Sequence, residues 1–157
     1  MLLLLALQLM AQGPNGTGTY YQNADGEKGS ALKTAMWAII KDPQTVGYSG
    51  LWNAYRTTDK RDDGKVWDMY SSITNYDFDD HGSSFPYEGS GYNREHSFPR
   101  SWFGGEVEPM NSDVMHIVPT DGYVNNRRNN YPFGETTNPT DTSDGGFSKL
   151  GPSVGTI

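Results

Sequence analysis

The 157-residue sequence contains no cysteine. Disulfide staples and thiolate metal sites are therefore excluded. The compartment is not, because exported proteins can simply lack cysteine. Positive charge is also scarce. Twelve Lys and Arg stand against 19 Asp and Glu, a formal net charge of −7. That balance argues against a broad basic face for nucleic acid, so any phosphate chemistry needs a local cationic cluster. Apolar residues are few, at 34%, below the usual share for a globular domain.

What is present compensates in part. Aromatic residues reach 13%, so Trp and Tyr are expected to carry much of the core volume. Nineteen Gly and nine Pro point to many turns. The length suits one domain and can bury a real core. Residues 2–7 form an unbroken apolar run, too short to span a bilayer. With Ala11 as a small-residue cleavage point, residues 1–11 read as a secretory signal peptide, although no positive flank precedes the leucines. The expectation is a secreted or periplasmic protein, free of the membrane after signal removal, with one domain over residues 12–157.

Periodicity predicts a helix over residues 30–41, with Leu32, Ala35, Met36, Ile39 and Ile40 on one face, Ser30 as cap and Lys41 at the C-terminal end. A short helix over 51–56 turns Leu51, Trp52 and Tyr55 inward. Residues 59–64 end in an Asp-Gly turn signal, and 66–70 read as a strand. A calcium loop over 59–70 fails, because Arg61 and Tyr70 stand at its third and twelfth positions, where ligands are needed. Residues 75–91 and 134–157 are polar and read as loop. There are no internal repeats.

Two segments, residues 92–103 and 113–135, carry chemistry. In the second, residues 115–118 read as a short strand stopped by Pro119. Thr120 then caps a helix with Asp121 in its first turn, running to about Asn129 and ending before Pro132. In the first, Glu95 and His96 close an extended stretch that can pair with 115–118, giving strand, strand, helix. Every permanent cation between Tyr92 and Tyr131 is arginine: Arg94, Arg100, Arg127 and Arg128. Guanidinium forks match phosphate oxygens. Composition alone leaves open whether these arginines hold phosphate or sit in salt bridges, and a Glu-His pair alone means little.

The whole arrangement is more specific. Asn93-Arg94-Glu95-His96-Ser97-Phe98-Pro99-Arg100-Ser101-Trp102-Phe103, followed by residues 113–135, closely resembles the endonuclease I family of secreted or periplasmic bacterial nucleases. The likeness extends upstream through Tyr20-Tyr21, the helix starting near Ser30, residues 49–55, 57–59 and 66–70. It implies an α+β fold, mainly helical, with a small antiparallel hairpin and a ββα-metal (His-Me finger) motif. It further implies His96 as general base on water, and Glu95 together with Asn130, an asparagine on the helix, as ligands of a single Mg²⁺, for which Mn²⁺ or Ca²⁺ can substitute. Arg128, Arg100 and Arg94 are its candidates for holding the scissile phosphate. His116 and Asn125 take supporting places around the ligands. The substrate implied is DNA, with RNA left open, cut without base reading to leave 5′-phosphates.

Elementary chemistry is consistent with that assignment. A histidine near its ordinary pKa of ~6.5 can be neutral and accept a proton. Mg²⁺ prefers oxygen and keeps several waters when a protein offers one or two groups. Three departures from the family pattern stand out: the missing cysteines, the short stretch 104–112, and an end at Ile157 where relatives continue, so that truncation at the C-terminus is expected. Competing readings are a non-catalytic exported binding module and an inactive nuclease fragment. Neither oligomeric state nor physiological metal is legible.

Overall fold

The structure is a computed structural model and describes residues 18–155. The expected signal peptide lies outside the described residues. The chain divides between Gln44 and Thr45 into two compact units. The first holds a 3₁₀ turn, Gln22–Ala24, and helix α1, Gly29–Ile40. Here the predicted helix is present, but Ser30 lies within it and Lys28 holds the N-cap position without a side-chain bond. None of the residues on its apolar stripe is buried.

The second unit holds helix α2 (Leu51–Thr58), strand β1 (Tyr92–His96), strand β2 (Ile117–Asp121), helix α3 (Gly122–Arg128) and a two-residue hairpin of β3 (Asp141–Thr142) and β4 (Lys149–Leu150). The last hairpin forms within a stretch that reads as loop from its composition. Overall the class is α+β. Among the described residues the expectation of a mainly helical chain is corrected: the three α-helices there have 12, 8 and 7 residues, because long polar segments are held by side-chain hydrogen bonds rather than by helix ladders.

β1 and β2 pair antiparallel, with Tyr92 opposite Asp121, Glu95 opposite Val118 and His96 opposite Ile117. Two details differ from the sequence reading. Met115 is 86% exposed and precedes the strand, because the Asp113 carboxylate and carbonyl draw the Met115, His116 and Ile117 N–H groups into a turn. Pro119 does not end the ladder but sits opposite Arg94 within it. Its carbonyl accepts from Met69 N, so its main-chain polar side faces away from β1 and the missing N–H is not needed there.

The core cluster is Leu51, Tyr55, Val66, Tyr76, Phe78, Tyr92 and Ile117. Tyrosine supplies most of the aromatic volume: Trp52 packs half-buried against the cluster, while Trp37, Trp67 and Trp102 are exposed. Each buried phenol finds an acceptor, Tyr55 on Ile117 O, Tyr92 on Phe78 O and Tyr76 on Asp121, as a buried hydroxyl requires.

Residues 66–70 do not form a strand, and the reason is Asp68. Its Oδ1 accepts from Tyr70 N (2.8 Å), Ser71 N (3.2 Å) and Thr120 Oγ1 (3.0 Å). Its Oδ2 accepts from Thr74 Oγ1 (2.7 Å) and Asp121 N (3.0 Å). The carboxylate takes donors that a ladder would have used and ties this loop to β2. Asp121, fully buried, caps α3 by accepting Val124 N at 2.9 Å. The cap is therefore one residue later than Thr120, whose hydroxyl is committed to Asp68. Gly122 opens α3 against Phe85, where any Cβ would overlap the phenyl ring.

Candidate active site

The hairpin delivers Glu95 and His96, and the C-terminal end of α3 delivers Asn125 and Arg128, to one polar cleft of about 290 Å³. Asn130 also lines it. It is not on the helix, which ends at Arg128; Asn129 adopts φ 54° and turns the chain, so Asn130 follows in an exposed turn. Arg94 and Arg100 complete the polar lining. The sequence-predicted residues thus converge, except His116. That side chain lies behind His96, with ring centroids 5.8 Å apart.

His96 is buried. Its Nε2 lies 3.3 Å from the carbonyl oxygen of Asn111. A carbonyl only accepts, so this contact assigns the proton to Nε2 and leaves Nδ1 as the basic nitrogen. Tyr48 stacks on the ring at 5.8 Å and Phe103 flanks it at 6.0 Å. Burial is the main force holding the imidazole down to about 4, helped by Arg100, His116 and Arg94, and opposed by the Asn111 bond. His96 is accordingly neutral at ordinary pH.

Glu95 is buried and meets two donors at one oxygen. Tyr70 donates its hydroxyl to Oε1 at 2.7 Å, and Arg128 Nη1 lies 2.9 Å from the same oxygen. Burial raises the carboxyl above its ordinary pKa, while these two partners pull it back. Because both meet Oε1, Oε2 stays outside the two contacts. Among the described residues, no group of three or more His, Asp or Glu side chains is placed to hold a metal ion. The side-chain oxygens of residues lining the cleft are those of the Glu95 carboxylate, the Tyr48 phenol and the amides of Asn93, Asn125, Asn126, Asn129 and Asn130.

The three candidate arginines are not equivalent. Arg94 is sandwiched between Tyr48 (3.5 Å) and Trp52 (4.1 Å) and donates to Tyr48 O at 2.7 Å. Arg128 meets Glu95, donates to Ser97 O at 3.0 Å and lies over Phe133. Arg100 is held by Glu106, an exposed carboxylate, at 2.8 Å. An exposed pair of that kind contributes little, about 0–1 kcal/mol, so Arg100 is the guanidinium freest to exchange its partner for a phosphate.

The endonuclease I family model matches residues 28–156, which takes in α1 and every residue of this cleft. The chain belongs to the endonuclease I family. It is similar to the extracellular ribonuclease of Bacillus amyloliquefaciens, 34% identical over 121 residues, which are 74% of this chain and 40% of that protein. It is likewise similar to the extracellular ribonuclease of Bacillus subtilis (strain 168), 32% identical over 134 residues, 83% of this chain and 44% of that protein. The chain thus spans about two fifths of the length of these relatives. No solved structure gives a significant match.

For this endonuclease I chain, sequence reasoning missed Tyr70, Asp68, Tyr48 and the Asn111 carbonyl. The first two sit in a segment whose alternation suggests a strand. For Asp68 the available signal was an acid set between Trp67 and Met69 in an otherwise apolar and aromatic run. Nothing in the sequence marks Asn111, since its contribution is a main-chain atom.

Proposed function

We propose that the chain is a metal-dependent endonuclease hydrolysing phosphodiester bonds of nucleic acid, with His96 as general base and Glu95 and Asn130 as ligands of one Mg²⁺. The β1–β2–α3 unit then serves as a ββα-metal motif. The observation that carries this reading is a neutral, tautomer-fixed histidine beside a buried carboxylate in one cleft, within a chain of the endonuclease I family. Relatives named extracellular ribonucleases favour RNA as a substrate beside DNA, and favour export.

The donor set suits a hard cation that retains water: one carboxylate with a spare oxygen and neighbouring amides, without thiolate or imidazole cage. Mn²⁺ or Ca²⁺ could take the same oxygens. When bound, such an ion supplies charge neutralisation at the phosphate and leaving oxygen. His96 Nδ1 takes the proton from the attacking water while Nε2 stays on Asn111 O, which prevents ring rotation. Arg100 exchanges Glu106 for a phosphate oxygen and positions the strand. Arg128 offsets the Glu95 charge and fastens α3 to the hairpin end through Ser97 O. His116 packs behind the base and limits its movement, and Asn125 borders the ligands. Contacts of this kind position a backbone without reading bases.

The test is cleavage of plasmid DNA and of RNA by the purified chain with Mg²⁺, with EDTA, and as His96→Ala. Metal-dependent cleavage that drops on the order of 10²–10⁴-fold in the variant is the expected result. A cooperatively melting chain that cleaves neither polymer would overturn the catalytic reading in favour of a binding module.

A further inference from the structure

A second cavity, of about 340 Å³, lies on the other side of the Glu95 partners. That volume is within the range of small-ligand sites. Its walls mix aromatic with charged side chains: Tyr131, Phe133 and Phe147 line it, all three about half exposed, beside Arg127 and Asp141. Two side chains separate the cavity from the catalytic cleft. Tyr70 places its hydroxyl on Glu95 and its ring 6.2 Å from that of Phe133. Arg128 touches Glu95 with Nη1 and lies 4.7 Å from the Phe133 ring centre. The partition is one side chain thick, and Arg128 lines both spaces. Lys149, exposed, stands at the rim of the cavity.

We propose that this cavity is a nucleobase subsite, which receives an unpaired base of the substrate strand while the adjoining backbone lies in the His96 cleft. The proposal rests on the nuclease reading and adds a substrate class to it, single-stranded nucleic acid. Aromatic faces and a guanidinium plane stack on any base regardless of sequence. Of the cations that line the cavity, Arg127 is paired with Asp141 and Arg128 with Glu95, which leaves Lys149 at the rim for a phosphate and the rings for a base. A base inside a duplex is stacked on both faces and paired along its edge, so it enters such a space only by extrusion. The subsite therefore favours strands whose bases are already free.

The experiment is a fluorescence titration in EDTA with a single-stranded RNA hexamer and with the same backbone lacking all bases. The base-bearing strand should bind about tenfold more tightly or better, and Phe133→Ala should remove that difference. Equal affinities, or a preference that survives Phe133→Ala, would overturn the subsite. A fold-independent arm uses the unaltered chain and photo-crosslinking with 4-thiouridine RNA. Labelling within residues 131–150 is expected, and labelling confined elsewhere sinks the proposal. Sedimentation showing that Phe133→Ala converts a dimer into a monomer would also overturn it, by giving the cavity to a second copy. Cleavage is scored separately: base-dependent binding without any cleavage would leave the subsite standing and remove the nuclease reading.

Discussion

Asp68 and Glu95 are two buried carboxylates on neighbouring parts of one unit, and their surroundings differ in kind. Asp68 is closed: five donors share its two oxygens, three from the main chain and two from threonines. Glu95 is half open. Tyr70 and Arg128 converge on one oxygen, and the side chain borders a cleft. A saturated carboxylate has no capacity left for a ligand and acts as a fastener. One with an oxygen to spare, held still by a phenol and a guanidinium, keeps capacity for a cation. The two acids thus differ in what their surroundings leave available, nothing at Asp68 and one oxygen at Glu95, a difference that their shared burial conceals.

The comparison breaks most visibly at Asp68. Asp68→Ala strands several buried donors at once, and each costs about 1–3 kcal/mol. The expected loss is about 4 kcal/mol, close to a thousandfold in the folding equilibrium, measured by urea denaturation. A melting curve like that of the parent would sink the fastener role. Glu95→Gln should do the reverse, with cleavage falling about a hundredfold while stability drops by less than in Asp68→Ala. A Glu95→Gln chain that unfolds yet retains specific activity would invert the assignment.

Tyr70→Phe sharpens the contrast. It removes one donor from Glu95 and leaves the ring in place. Metal requirement should rise about tenfold with kcat at saturating metal nearly unchanged, as for groups that orient a ligand. Equal loss at all metal concentrations would mean a merely structural phenol. The smallest effect concerns pH. His96 is held down to about 4, so the base stays neutral at pH 5.5. At saturating metal, kcat/KM should fall less than about twofold between pH 7.5 and 5.5, whereas an ordinary histidine would lose about tenfold. Stability carries the matching sign. The unfolded chain protonates His96 first, so the melting temperature should fall from about pH 6.5 downward and level off below pH 4.

The hairpin and its helix were legible because their signals are local. Extended residues 92–96 end in Glu-His, and a polar cap precedes the helix. Errors there were shifts of one to three positions, each with a cause: Pro119 pairs within the ladder, so β2 runs on to Asp121; Thr120 is drawn to Asp68, so Asp121 caps; Asn129 turns the chain, so Asn130 leaves the helix. The supports of the site were not legible. Tyr70 reaches Glu95 across 25 residues, and Asp68 reaches β2 across more than 50. Such contacts are set by tertiary packing, and they convert an alternating Val-Trp-Asp-Met-Tyr pattern into an irregular loop. The apolar stripe of α1, none of it buried, shows the same limit, since periodicity shows that a face exists but not what it meets.

The Gly122–Phe85 contact has a consequence for how this sequence can change over time. Position 122 admits no side chain while position 85 carries a ring. The two are bound to drift together or not at all. In a library varying every position, residue 122 should appear as a column with one survivor. Larger residues should reappear there only in clones that have first exchanged Phe85 for something small.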